Sequence, residues 1–157
     1  MEIFVILWCM AVDFWTPLYG MTDLHDDKHD VMIEESLKKR LDADTDGLAT
    51  YEYIANHIDV CGDDMDYLIE NMARADVTGQ FVISAARYLY AIDPVKFADV
   101  ISRLVEIGIG KDRERRYLGA MMEQFYGADY AEHAQELSAR DNNFRRIYKR
   151  LYPQGSL

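Results

Sequence analysis

Asp42-Ala43-Asp44-Thr45-Asp46-Gly47 separates two apolar stripes, and its reading decides what kind of fold this chain adopts. Before it, Ile33, Leu37 and Leu41 recur at every fourth position, the spacing that gives a helix one apolar face. After it, Ile54 and Ile58 repeat the same interval. The stretch itself holds three carboxylates at alternate positions and ends in glycine, so it turns the chain sharply between two helices. Oxygen donors in that pattern suit a hard cation, which points to a binding site and not to a reaction.

Aligned as a twelve-residue calcium loop, the stretch places Asp42, Asp44 and Asp46 at the first, third and fifth ligand positions. Gly47 falls at the turn, and the carbonyl of Leu48 supplies the seventh position. In this pattern the segment resembles an EF-hand. The resemblance implies calcium as the cofactor, with Glu52 as the remaining carboxylate. It departs from the family at Tyr53, which stands where a bidentate glutamate is needed, while Glu52 lies one residue early. A second copy begins 32 residues on, where Asp76, Gly79 and Phe81 match Asp44, Gly47 and Ala49. Arg74 and Ala85 take its first and last positions, so this copy is expected to be an empty partner, paired through a short strand contact. The resemblance spans residues 31–91. A competing reading needs no metal: aspartate caps helices and glycine supplies positive φ, so such turns also simply punctuate helical chains.

The chain has 157 residues, half of them hydrophobic, enough for one compact domain with a true core. Three prolines and nine glycines, with long 3.6-residue periodicities, predict an all-α fold of seven or eight helices. The pattern puts helices at 30–41, 51–60, 64–74, 82–92, 94–108, 112–126, 129–139 and 142–151. Asp93-Pro94 reads as a cap followed by proline at the first helical position, and Gly108 and Gly110 as the end of that helix. Residues 1–20 form an apolar segment too short to span a bilayer, possible upstream sequence before a start at Met21. Residues 21–152 then make the helical domain, with an acidic half at 21–92 and a basic-tailed half at 93–152. Cys9 and Cys61 make no disulfide framework, which favours a reducing cytoplasm.

Net charge is −11 and unevenly placed: sixteen acidic against five basic residues from Met21 to Asp76, ten against twelve from Val77 onward. The acidic half disfavours nucleic acid and anionic membrane as partners and favours a protein. Arg145, Arg146, Lys149 and Arg150 form a basic face opposite Phe144, Ile147, Tyr148 and Leu151, a candidate partner-binding surface. Lys111, Arg113, Arg115 and Arg116 form a second basic cluster, diluted by Asp112 and Glu114. Acidic and basic surfaces on one chain also allow a homodimer.

His25 and His29 sit four residues apart, a spacing that can hold zinc on a helix and would serve a metal-dependent hydrolase. No phosphate-binding glycine loop, nucleophile elbow or paired-cysteine metal motif is present. The pattern therefore favours a small macromolecule-binding or regulatory protein, with calcium as a modulator. The alternative is an acidic inhibitor whose Asp23, Asp26, Asp30, Glu34, Asp63, Asp64, Asp66 and Glu70 imitate the phosphates of a nucleic acid.

Overall fold

The computed structural model describes residues 33–154, and among them the protein is all-helical. The helices are α1 (Glu35–Asp42), α2 (Leu48–Asn56), α3 (Met65–Ala75), α4 (Gln80–Ile92), α5 (Ala98–Lys111), α6 (Leu118–Tyr126), α7 (Ala134–Arg140) and α8 (Asn142–Leu151). None of them is long and apolar enough to cross a membrane. The apolar segment 1–20, the His25/His29 pair and Asp23, Asp26 and Asp30 lie outside the described residues.

α1/α2, α3/α4 and α5/α6 follow one another as three helix–turn–helix hairpins, and the most extensive helix packing is α4 against α5. Contacts between successive hairpins keep chain order. Arg87 and Gln124 join α4 to α6 at 2.8 Å, and Tyr90 stacks on Phe125 at 4.2 Å. In the other row Asn71 of α3 reaches the Leu41 carbonyl of α1 at 2.8 Å, and Arg103 of α5 pairs with Asp66 of α3. The row α1, α3, α5 is completed by α8, whose Arg146 and Arg150 meet Glu106 and Ile109 in the same order along α5. Short α7 carries the chain back, so that α8 covers the open flank of the last hairpin. Leu41, Ile54, Leu68, Met72, Ile83, Leu89, Leu104 and Phe144 are all almost wholly buried between the two rows. Met121 and Met122 are buried among them as ordinary core filling.

Several helix ends differ from the pattern, each for a local reason. The helix expected to stop at Gly108 runs on to Lys111. Gly108 is a packing residue: a Cβ there would lie 2.7 Å from Cγ1 of Ile83, so its bare backbone lets α5 approach α4. Asp93 accepts from the N–H groups of Val95 and Lys96 at 3.0 and 2.9 Å, organising a turn at 94–97 that delays α5 to Ala98. Helix α6 starts at Leu118, not at 112, because the chain first makes a wide turn around Asp112. The last boundary agrees. Asp141 caps α8 through the N–H groups of Asn143 and Phe144 at 2.7 and 3.1 Å. Its other oxygen accepts from the Tyr126 hydroxyl at 2.8 Å. Burial, and then this bond to a carboxylate, push the Tyr126 phenol well above its ordinary value.

Candidate functional site

Each hairpin turns on a buried aspartate. Asp44 accepts from the N–H groups of Asp46, Gly47 and Thr50 at 3.3, 3.0 and 3.0 Å, and from the Thr50 hydroxyl at 2.8 Å. Asp76 accepts from the N–H groups of Thr78, Gly79, Phe81 and Val82 at 2.9, 2.7, 2.8 and 3.0 Å. Asp112 does the same for Arg116, Tyr117 and Leu118 at 3.0, 2.8 and 2.9 Å. These donors lie at the start of the following helix, where N–H groups have no partner within the helix. Burial alone would raise the Asp44 carboxyl, but the Thr50, Gly47 and Asp46 bonds outweigh it and hold it below its ordinary value.

The turns also stack on one another along one edge of the molecule. Gly47 and Gly79 take left-handed φ values of 92° and 81°, a conformation that favours glycine. A Cβ on Gly47 would fall 2.9 Å from Cβ of Asp76, and one on Gly79 would fall 3.1 Å from the backbone nitrogen of Asp112. Each glycine is thus seated against the next aspartate. The two turns paired by the 32-residue repeat do meet, by this packing, and no strand lies between them among the described residues.

The residues of the calcium reading of the first turn are engaged within the protein. Both oxygens of Asp44 are taken by donors of its own hairpin. Asp42 accepts from the Tyr67 hydroxyl at 2.8 Å, and Asp46 from the N–H of Leu48 at 3.0 Å. Leu48 is already the first residue of α2, so its carbonyl belongs to the helical ladder. Glu52 sits a full turn further along that helix, exposed, while Tyr53 is buried in the core. Among the described residues no three His, Cys, Asp or Glu side chains are grouped to hold a metal.

The basic residues behave differently. Arg146 pairs with Glu106 at 3.2 Å, Arg150 donates to the Ile109 carbonyl, and Arg145 bonds Asn142 within α8, while Lys149 is exposed. Arg150 thereby lies beside the end of α5, two residues before the cluster Lys111, Arg113, Arg115 and Arg116. Between the second and third turns opens a cleft of about 280 Å³, lined by Val77, Thr78, Tyr117, the basic Lys111, Arg113 and Arg116, and the acidic Asp112 and Glu114. A hollow of about 310 Å³ adjoins it and shares Val77, Lys111 and Arg113. Val77 is 77% exposed and forms the apolar part of the rim. The Tyr117 hydroxyl is held by Gln80 at 3.1 Å, and Glu114 pairs with Arg116 at 2.8 Å. Arg115, with φ 61°, is the one non-glycine residue in the left-handed region among the described residues. Sequence reading missed this site because the third turn lacks the glycine that marks the other two. Aspartate followed six residues later by a buried residue in the first turn of a helix was the available signal. Comparison with protein-family models, curated proteins and solved structures finds no match for this chain.

Proposed function

We propose that this protein works by binding another macromolecule, as a rigid stack of helical hairpins with its contact surface on the turn edge. The observation that carries the reading is the cleft between the second and third turns, where Lys111, Arg113 and Arg116 stand beside exposed Val77. A fold of this kind is compatible with many functions, so the argument rests on the cleft and not on the helices. Arginine and tyrosine, both present in the cleft, are residue types enriched in binding hot spots. Because three buried aspartates fix the turns, the cleft is preformed and little ordering entropy is lost on binding.

Phosphate mimicry by the acidic residues has less support. It requires an unbroken stripe of carboxylates, whereas Asp66 is tied to Arg103 and Glu106 to Arg146 across the α3, α5, α8 row. Asp64 accepts from the Ile33 N–H at 3.4 Å through one oxygen and has the other buried, so it is not presented as an exposed phosphate mimic. Calcium is not needed for the proposed binding, and calorimetric titration to millimolar calcium is expected to give no heat. A stoichiometric heat lost in Asp42→Ala would reinstate it. The direct test of the reading is affinity capture from the native host with wild type and with Arg113→Glu/Arg116→Glu. A discrete species retained by the first and lost by the second, with equal thermal stability of the two proteins, is expected. Identical captures would refute the turn edge as the contact surface.

A further inference from the structure

We infer that the cleft between the second and third turns takes a short acidic segment of a partner protein that carries one apolar side chain. This rests on the turn edge being the contact surface. Three observations select the occupant. The first is charge. Lys111, Arg113 and Arg116 line it, and of the two carboxylates that also line it Asp112 is spent on backbone N–H groups and Glu114 pairs with Arg116, which leaves Lys111 and Arg113 unanswered there. The helix start itself is not the anion site, since the N–H groups that would serve an anion already bind Asp112.

The second is shape. The two hollows of about 280 and 310 Å³ meet at Val77, Lys111 and Arg113. Both lie near the lower end of small-ligand pockets, which run from about 300 to 1,000 Å³. Adjoining hollows along a turn edge fit an extended segment. Val77 at their shared rim gives an apolar side chain of that segment something to cover.

The third is the rest of the molecule. A long polyanion such as a nucleic acid would run from this cleft along the edge towards exposed Asp42 and Asp46, on a chain of net charge −11. A short acidic segment meets only the cationic end. Arg115 adds a sign that the turn is kept for a purpose. An arginine in the left-handed region costs about 1–2 kcal/mol, which glycine would avoid.

The test uses the whole chain and four probes: a labelled glutamate peptide with one central leucine, the same peptide with glycine for leucine, a single-stranded oligonucleotide of equal charge, and inorganic phosphate. Anisotropy is expected to show the leucine peptide binding, weakened about tenfold by Arg113→Glu/Arg116→Glu and several-fold by Val77→Asp or by loss of the leucine. Rising salt should weaken it. The inference is overturned if the oligonucleotide binds as tightly, if phosphate alone displaces the peptide, if the variants bind equally, or if wild type binds no peptide. Host capture separates the two levels. Peptides that fail while the double variant still loses a captured species would reject only the acidic class; failure of both would reject the surface as well.

Discussion

The first two turns and the third share an architecture and differ in one residue. In each, a buried aspartate accepts from the N–H groups that open the next helix, and the residue three places on is left-handed: Gly47, Gly79 and Arg115. At the first two the glycine is enclosed by the following turn, so the position serves packing. At the third no further turn of this kind follows among the described residues, and the left-handed residue is an exposed arginine. Where the edge is covered, the chain uses the residue that fits; where the edge is open, it uses one that carries charge at a conformational cost.

The largest effect expected from breaking this pattern is at the aspartates. Asp76→Ala leaves the N–H groups of Thr78, Gly79, Phe81 and Val82 without their acceptor, at a cost of about 3–5 kcal/mol in a denaturant titration. Asp44 has a lowered folded value, so its contribution is present above the ordinary carboxylate value of about 3.9 and is lost as pH falls through the folded value. Wild type should therefore lose stability below about pH 4, and Asp44→Asn, weaker at neutral pH, should show a shallower acid slope. A wild-type acid limb that Asp44→Asn leaves unchanged would remove the carboxylate from this role.

Smaller effects distinguish the turns from one another. Gly79→Ala meets both a left-handed φ and the backbone of the third turn, and is expected to destabilise by about 2 kcal/mol. Arg115→Gly should do the reverse, stabilising by up to about 1 kcal/mol in thermal melts while weakening capture of the partner. Stabilisation without any loss of binding would detach Arg115 from the site. Smallest is Arg146→Glu, which breaks an exposed pair with Glu106 and should cost about 0–1 kcal/mol. Because that arginine lies on its own molecule, sedimentation should give a monomer at every salt concentration. A salt-sensitive dimer abolished by Arg146→Glu would show that the basic face of α8 is an interface instead.

From the sequence by itself came the helical class, most of the helices and the 32-residue repeat of Asp44 and Gly47 at Asp76 and Gly79. These are local properties: apolar periodicity, capping residues and a glycine where φ is positive act within a few residues of one another. The sequence also isolated both basic clusters. What only the tertiary structure decided is where the oxygens of Asp44 point, since an aspartate that can face a cation can equally turn inwards to the N–H groups of the next helix. It alone decided that Gly108 packs against Ile83 and does not end a helix. It also joined the end of α8 to α5, through an arginine reaching a carbonyl 41 residues away, and set the second turn beside the third to form the cleft at Val77. Contacts of that separation depend on how hairpins stack, and no window of sequence carries the stacking.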